Sequence, residues 1–491
     1  MSDTKNNNHN HTWDSSFSFL MAMIGAAVGL GNIWRFSYVL YSNGGGAFLI
    51  PYFFAIFIMG IPFLILEYGL GFKFKDSLSN ILKNLKPQFE VVGWFTAFLI
   101  FLVLTYYVVI MGWDVIYLIL SFFKGWGSNP DLFYTTNIIV GGNNLDSILT
   151  PVIPTLLVTI AIWIFLWYIS HKALDKGIAR VVKIMIPLLF IMMAIIVFYS
   201  FTLPGHWIGL EALFNPDWQA LTNINIWLAA FGQIIFSLSM GQAIAVTYAS
   251  YLPNDSKLID NVLIVVSSNS GFELFTALGV FNILGFMSLA SGLPINEIAT
   301  SGSGLLFVVF PGIFNVMGDV AYIIAPIFFI CVFFAGVTSA LAFMEPMSLA
   351  LSKKFGFSRV RAVTLLCSVG LIISLVYTTG SGNYILTLAD AFINQFGVLL
   401  AVVLQSLIFG WYYGVEKLLP TLNKLSHVHV GKTWVVVIKY ILPLVISVMW
   451  IIGMIELLTT ESSTDLLVQI VISLFFLIPI VLAIIPSRRE A

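Results

Sequence analysis

The chain has 491 residues, of which 59% are hydrophobic and only 9% are charged. A soluble protein carries about a quarter charged residues, so this composition excludes a disordered chain, a disulfide scaffold and an ordinary cytosolic enzyme. The formal net charge of −1 provides no basic field for nucleic acid or an anionic surface. The sequence therefore predicts an all-α integral membrane protein whose helices are sized to a bilayer.

Long apolar runs predict twelve transmembrane helices between a polar N-terminal segment, 1–14, and a short tail, 487–491. Several runs exceed the ~20 residues that a crossing needs, so these helices must tilt, break or protrude. The first run is too long for a signal peptide, and we expect it to be retained as the first span. The predicted spans are 15–37, 42–71, 90–124, 151–170, 178–202, 227–252, 258–287, 320–352, 360–379, 383–413, 433–457 and 464–486.

The positive charges predict the orientation. With twelve spans, 20 of the 22 Lys and Arg residues fall on the side of the membrane that holds the N-terminus. The positive-inside rule then makes both termini of a multi-pass plasma-membrane protein cytoplasmic. One exception, Lys124, ends the third run, where a long side chain reaches the interface.

The other exception, Arg35, follows twenty uncharged residues of the first span. A charge at that depth costs at least about 2.5 kcal/mol unless it faces a partner or a wet cavity. Arg35 is therefore a candidate functional residue.

The first span carries three glycines, Gly25, Gly29 and Gly31, at the depth of the bilayer middle. Each costs about 1 kcal/mol relative to alanine inside a helix. They indicate either an unwound segment that lines a cavity or a close helix-packing face. The spacing of the glycines does not choose between the two.

The sixth span has a similar interruption, with the sequence FSLSMGQ at 236–242. Two interrupted helices at matching places in two halves are typical of an inverted-repeat transporter with its binding site at the bilayer midplane. No residue-level repeat between the halves is evident.

Two polar groups lie in other spans. Thr338 and Ser339 are adjacent in the eighth span, and Asn269 and Glu273 are four residues apart on one face of the seventh. The two hydroxyls can be satisfied by the carbonyls of their own helix, whereas an intramembrane carboxylate needs a partner, a proton or a cation. Such oxygen-rich clusters suit a hard cation such as sodium.

Other functions find less support in the sequence. Cys331 and Cys367 both lie in apolar runs, and the six histidines lie outside the spans, so we expect no disulfide, metal site or cofactor. A membrane enzyme would need a nucleophile with a base or a metal cluster, and none is evident. A passive channel remains an alternative that concentrative, sodium-driven uptake would exclude.

Several segments resemble the signature of the neurotransmitter:sodium symporters. They are GAAVGLGNIWRF at 25–36, NGGGAF at 43–48, PY at 51–52, GQ at 232–233, TYASY at 247–251 and FAGVTS at 334–339. The resemblance covers nearly the whole chain in order. It implies sodium-coupled symport of a small molecule by alternating access.

The resemblance also implies the fold of the prokaryotic amino acid transporters of this family. Spans one to five (15–202) and six to ten (227–413) would form five-plus-five inverted repeats, with helices 1 and 6 broken. Two accessory spans (433–486) would follow. It implies nothing about the oligomeric state.

Two sodium sites follow from the resemblance. The first would use Ala27, Asn32, Ser237 and Asn269 together with the substrate carboxylate. The second would use Gly25, Val28, Ala335, Thr338 and Ser339.

The resemblance implies a substrate pocket between the broken helices. Its walls would be Ala26, Ala27, Leu30, Gly31, Val103, Tyr107, Phe236, Ser237, Ser239, Gln242, Ser339 and Phe343. The N-termini of half-helices and the Tyr107 hydroxyl would receive a carboxylate, and exposed carbonyls would receive an ammonium.

The same resemblance implies two gates. Arg35 and Asp390 would pair as the extracellular gate, with Gln233 beside them. Trp13, Ser250 and Tyr251 would belong to the intracellular gate. The usual closing ion pair of that inner gate is replaced by Asn10 and Lys353, so either another pair substitutes or inward opening is easier here.

Three positions bear on specificity. Gly29 occupies the place where monoamine transporters have Asp, so the substrate must bring its own carboxylate, which predicts an amino acid or, as an alternative, another small zwitterionic or carboxylate solute. Glu273 replaces a Ser of chloride-dependent relatives, which predicts chloride independence and a proton role for the carboxylate. Gln242 either recognises a polar group or reshapes an apolar pocket.

Overall fold

The computed structural model describes residues 12–142, 144–298, 303–460 and 462–487. Asn10 of the predicted inner gate and most of both terminal segments lie outside these ranges. The described secondary structure is helical, apart from one isolated bridge between Pro151 and Thr379.

The first predicted span is a bent pair of helices, α1 (Ser16–Ala27) and α2 (Leu30–Ser42), which meet at 51°. The sixth is split into α10 (Ile224–Ser237) and α11 (Ile244–Ser250) by six non-helical residues. Breaks in the first and sixth spans were both predicted, and each falls at the small residues that indicated it.

The remaining predicted spans are continuous helices. They are α3 (Gly45–Phe74), α5 (Pro87–Ser121), α7 (Ile153–Ser170), α8 (Ile178–Ser200), α12 (Leu258–Ser291), α14 (Gly318–Phe355), α15 (Arg359–Tyr377), α16 (Gly382–Asn423), α17 (Lys432–Thr459) and α18 (Ser463–Ile484). Within the described ranges, these ten are long and apolar enough to cross a membrane, and the bent pair makes eleven. The two halves of the sixth predicted span are too short to be counted by length, so the total of twelve stays a prediction, as does the division into inverted repeats.

Four shorter helices, each of at least eight residues, lie between the predicted spans. They are α4 (Leu78–Leu85), α6 (Pro130–Asn137), α9 (His206–Phe214) and α13 (Leu305–Val316). Polar side chains cap several helices at their N-termini: Ser77 accepts a hydrogen bond from the backbone N–H of Asn80, and Ser358 accepts one from that of Arg361. Such caps satisfy N–H groups that the helix leaves free.

The helix α5 is the centre of the bundle. It packs against α14 along much of its length, and α1 packs between α8 and α14. About 78% of the most apolar stretch of α5 is buried, against 22% for α18. Large apolar side chains on the outer helices, such as Ile164 and Leu444, are exposed, as expected for surfaces that face lipid.

We call the end of the bundle at which Trp13 lies the inner end, and the opposite end, beyond Arg35, the outer end. The charge distribution predicts that the inner end is cytoplasmic.

Candidate functional site

A cavity of about 600 Å³ lies between the two broken helices and extends towards the outer end. Its walls come from α1, α2, α5, the break of the sixth span, α14 and α16. All twelve residues of the predicted substrate pocket line it, and so do Arg35, Gln233 and Asp390 of the predicted outer gate. The geometry thus brings together residues that lie more than 300 positions apart in the sequence.

The break between α1 and α2 frees backbone groups that nearby side chains satisfy. The hydroxyl of Ser339 donates to the Gly25 carbonyl (3.0 Å), and that of Ser239 donates to the Ala26 carbonyl (3.2 Å). At the start of α2, the backbone N–H of Leu30 donates to the Tyr107 hydroxyl (3.3 Å). Irregular backbone inside a membrane is tolerated only where such partners or a cavity exist.

The glycines of the first span explain how closely these elements approach. A Cβ at Gly25 would lie 2.9 Å from both Ile186 and Thr338, and one at Gly29 would lie 2.9 Å from the Ser339 hydroxyl. A Cβ at Gly31 would meet nothing within 4 Å. The two interpretations of the glycines therefore both hold, since Gly25 is a close-packing position and Gly29 lies in the unwound segment.

The break of the sixth span holds residues in an unusual backbone conformation. Ser239 and Ala243 have φ angles of 52° and 61°, in the left-handed region that non-glycine residues rarely adopt. Such conformations cost about 1–3 kcal/mol each and cluster at functional sites. Here they turn the Ser239 hydroxyl towards the carbonyl of Ala26 across the cavity floor.

Three of the four residues predicted for the first sodium site form one buried network. The side-chain amide of Asn32 donates to Asn269 Oδ1 (2.8 Å), and the amide of Asn269 donates to the Ser237 hydroxyl. Ala27, the fourth, ends α1 beside them and lines the same cavity.

Glu273 joins this network and is surrounded by donors. Its carboxylate accepts hydrogen bonds from the Tyr52 hydroxyl (2.5 Å), Gln233 Nε2 (2.7 Å) and Asn32 Nδ2 (3.3 Å). Gln233, predicted beside the outer gate, therefore contacts Glu273. Three donors suit a carboxylate that carries its charge.

The residues predicted for the second sodium site meet where α1 approaches α14. Gly25 lies against Thr338, and the Thr338 hydroxyl donates to the carbonyls of Phe334 (3.0 Å) and Ala335 (3.2 Å) of its own helix. Val28, at the end of α1, is fully buried. The carbonyls and hydroxyls are neutral oxygens of the kind that a hard cation binds.

The outer gate residues face the cavity without pairing. The Arg35 guanidinium lies 4.3 Å from the centre of the Phe236 ring, a cation–π contact. Asp390 accepts hydrogen bonds from the Tyr106 hydroxyl (2.7 Å) and Asn394 Nδ2 (2.8 Å). Among the described residues, no ion pair joins Arg35 to Asp390, so their pairing stays a prediction for a closed outer end.

At the inner end, Trp13 is only 4% exposed. Its indole N–H donates to the Tyr248 carbonyl (2.9 Å), and its backbone N–H donates to the Tyr251 carbonyl (3.1 Å). The hydroxyl of Ser250 bonds to Thr247 of its own helix (2.6 Å). Trp13 is thus fastened to the C-terminal end of α11 and the residue that follows it.

The sequence did not reveal the ion pair that lies beneath this contact. Arg359 donates to both oxygens of Glu345, at 2.5 and 3.1 Å, and also to the carbonyls of Ser170 and Lys172. The Tyr251 hydroxyl donates to the same carboxylate at 3.4 Å. Nothing in the sequence pairs Glu345 with an arginine 14 positions away.

Two further ion pairs fasten the inner end. Lys354, fully enclosed, bonds to Glu90 (2.6 Å) and to the Ala483 carbonyl (3.0 Å). Lys183 of α8 pairs with Asp14 at 2.5 Å, and both side chains are partly exposed. Burial raises the pKa of Asp14, but hydrogen bonds from Lys183 and Ser18 outweigh it, so the net pKa lies below the usual value of 3.8.

Comparisons with known proteins agree with this geometry. The profile of the Sodium:neurotransmitter symporter family matches residues 10–141 and 133–487. An uncharacterized sodium-dependent transporter of Methanocaldococcus jannaschii is 37% identical over 436 residues, which cover 89% of each chain.

More distant relatives are named for other substrates. The sodium- and chloride-dependent creatine transporter 1 of Bos taurus is 28% identical over 83% of this chain and 71% of its own. The sodium-dependent serotonin transporter of Drosophila melanogaster is 28% identical over 92% of this chain and 78% of its own.

Among solved structures, MhsT in complex with L-phenylalanine superimposes with a TM-score of 0.77 at 29% identity. The match covers 90% of this chain and 99% of MhsT. The all-helical membrane fold, the broken helices and the sodium-transporter relatives lead to one conclusion. The chain belongs to the sodium:neurotransmitter symporter family and is a sodium-dependent, multi-pass membrane transporter.

Proposed function

We propose that this protein is a sodium-coupled symporter that carries an amino acid into the cell by alternating access and does not need chloride. The observation that carries the proposal is the absence of a fixed charge from the twelve residues of the predicted pocket at the cavity floor. The charged groups on the cavity wall, Arg35 and Asp390, lie towards the outer end.

Gly29 is central to the choice of an amino acid. A Cβ at this position would lie 2.9 Å from the Ser339 hydroxyl and 3.3 Å from the Tyr107 hydroxyl, so an aspartate here would require these hydroxyls to move. This chain has glycine at the position and hence no carboxylate there to bind an amine. A substrate must therefore supply its own carboxylate, which the start of α2 and the Tyr107 hydroxyl are arranged to receive.

The same carboxylate would complete the first sodium site beside Asn32 and Asn269, which makes sodium and substrate binding interdependent. We propose two sodium ions, because two separate groups of neutral oxygens flank the break of the first span. Binding of one ligand then raises the affinity of the other, with a coupling free energy of typically about 1–3 kcal/mol.

Chloride independence rests on Glu273. Its carboxylate already supplies a negative charge, held by Tyr52 and Gln233, where the resemblance puts the chloride of other members. A second anion beside it would be repelled.

Gln242 narrows the range of amino acids that we propose as substrates. This side chain is 7% exposed, lines the cavity, and its Oε1 has no hydrogen-bond partner in the described chain. A buried acceptor without a partner costs about 1–3 kcal/mol, so a substrate side chain with an N–H or O–H group would gain by meeting it. This favours the polar-recognition interpretation of Gln242.

The test is a thermal-stability screen of the purified protein against each amino acid, creatine and several amines, in sodium and in potassium. A ligand at 100 times its Kd adds about 2.7 kcal/mol. We expect stabilisation by a subset of amino acids in sodium only. Stabilisation by an amine alone would refute the substrate class, and stabilisation by creatine alone would favour the other carboxylate-bearing solutes.

Transport is then measured in vesicles with an inward sodium gradient. We expect concentrative uptake that an ionophore abolishes and that persists when gluconate replaces chloride. Uptake that stops without chloride would refute the role given to Glu273. Uptake that never exceeds equilibrium would favour a passive channel.

A further inference from the structure

Asp114 is a buried acidic residue that neither the sodium sites nor the gates use. It lies on α5, its exposed fraction is 0%, and neither carboxylate oxygen has a hydrogen-bond partner among the described residues. Buried polar groups almost always have partners, so a carboxyl group without one needs an explanation.

The neighbours of Asp114 provide no charge to balance it. Met111, three positions earlier, packs against Gly336 of α14, and residues three apart share a helix face. The ionisable groups that interact electrostatically with Asp114 are Tyr107 on its own helix and Cys331 on α14. The thiol of Cys331 points to the Leu189 carbonyl of α8 (3.7 Å), so the helices packed here present neither Lys nor Arg to the carboxyl group.

Three other buried acids of this protein have partners that Asp114 lacks, whereas Glu67 resembles Asp114 in having no ordinary hydrogen bond. Glu345 is paired with Arg359, Glu90 is paired with Lys354, and Glu273 accepts from three donors. The backbone N–H of Gly241 interacts with Glu67, although no hydrogen bond of ordinary geometry joins them.

An ionised carboxylate without a partner is far costlier to bury than a neutral carboxylic acid. A bound cation would remove the charge as well, but a sodium ion needs several oxygen ligands, whereas Asp114 offers two oxygens beside a thiol. A proton needs only one oxygen, and the surroundings therefore suit a proton.

A route for that proton lies close by. Ile110, one helical turn before Asp114, and Trp113, next to it, both line the outer cavity. The carboxyl group thus lies directly behind the cavity wall, at the interface of α5 with α14.

We propose that Asp114 is a proton-binding site that is occupied in this conformation and exchanges with the outer cavity during the transport cycle. The carboxylate takes a proton from water in the cavity when it is exposed and returns it to water when the interface opens again. No other bond forms or breaks. External pH therefore controls the rate of uptake through Asp114, separately from Glu273.

The first experiment is infrared spectroscopy of the full-length protein in lipid, with the carbonyl band of protonated carboxylic acids as the readout. We expect the wild-type band to lose one component in Asp114→Asn and to keep it in Cys331→Ser, whatever other buried acids contribute. Cys331→Ser is a matched control because it alters the same interface without removing a carboxyl group. A band with the same shape and intensity in Asp114→Asn as in the wild type would overturn the proposal.

The second experiment measures the initial rate of sodium-driven uptake over a range of external pH. Asp114→Asn mimics the protonated acid, so we expect it to lose the pH dependence of the wild type, whereas Asp114→Glu and Cys331→Ser keep it. A wild type without pH dependence, or a variant with an unchanged profile, would contradict the proposal. The infrared readout needs no transport, so it also separates this inference from the proposed substrate.

Discussion

The two ends of the transporter differ in how their buried charged side chains are satisfied. At the inner end, Glu345 and Arg359 are locked together beneath Trp13 and Tyr251. At the outer end, Arg35 lies over Phe236 and Asp390 bonds to Tyr106, with the cavity between them. The inner charges are satisfied by each other, and the outer charges are satisfied by separate neighbours.

This difference indicates which end of the transporter is open in this conformation. A transporter that exposes its site to one side at a time needs one end sealed while the other is open. Under the proposed mechanism, a conformation with Trp13 packed at the inner end and a cavity towards the outer end would receive substrate and sodium from the outer end. Closing the outer end would exchange the contacts of Arg35 and Asp390 for a pair between them.

The strongest test of this difference between the two ends is to break the ion pair at the inner end. Glu345→Gln leaves the buried Arg359 without a counter-charge, which costs about 3–5 kcal/mol. We expect the inner end to open and uptake to fall, with faster labelling of a cysteine placed at Ser250. Cys331 and Cys367 are both buried, so labelling of the native cysteines should be slow.

The matched control for this variant is Glu416→Gln. Glu416 pairs with Lys439 at 2.5 Å but is about half exposed, so its loss should cost less than about 1 kcal/mol. Equal labelling rates in the two variants would mean that the Glu345–Arg359 pair does not hold the inner end closed.

The next test is at the outer end. Asp390→Asn should leave this open conformation intact but weaken the closed one, which needs the charged pair, by about 1.5–3 kcal/mol. We expect sodium-dependent binding of substrate to persist while uptake falls at least several-fold. Thr387→Ala, one turn earlier on the cavity wall, is the control and should preserve both substrate binding and uptake. Loss of binding in Asp390→Asn would instead place Asp390 in the substrate site.

Between the two ends, Gln242 tests whether the cavity floor selects by polarity or by shape. Gln242→Leu removes the free acceptor. It should weaken the binding of substrates with a donor in the side chain by about 0.5–1.5 kcal/mol, while the binding of aliphatic amino acids becomes stronger. The measurement is the rank order of thermal stabilisation. Phe343→Leu alters volume without a hydrogen bond, so the same reordering in both variants would favour shape.

The sequence predicted best those features that depend on local backbone preferences. The glycines of the first span, which disfavour a helix, indicated either a break or a close-packing face, and the small polar residues after Phe236 indicated a second interruption. The resemblance predicted that both helices are broken. The profile and the structural neighbour confirm the family and the fold that the resemblance implied.

Features that depend on tertiary pairing were harder to predict. Glu345 and Arg359 belong to different helices, and only the packing of α14 against α15 brings them together. The sequence did not predict a role for Asp114. A single acid in a long apolar run shows no pattern that tells a buried position from one near a helix end. The state of the Arg35–Asp390 gate depends on conformation, which composition does not encode.

The smallest expected effect concerns the exposed pair at the inner end, Asp14 and Lys183, which is a candidate for the missing closing pair. The pair joins the segment before α1 to α8, but the two side chains are 41% and 32% exposed, so Asp14→Asn should weaken the closed inner end by only about 0.2–1 kcal/mol. The effect should shrink further as salt screens the charges.

The pH dependence of this pair has a definite sign. Because the pKa of Asp14 is lowered in the folded protein, its stabilisation is present above the usual pKa of 3.8 and is lost as the pH falls through the folded value. Labelling at Ser250→Cys should therefore be slightly faster in Asp14→Asn than in the parent at neutral pH and low salt, and equal at high salt. An effect as large as that of Glu345→Gln would show instead that the exposed pair, and not the buried one, keeps the inner end closed.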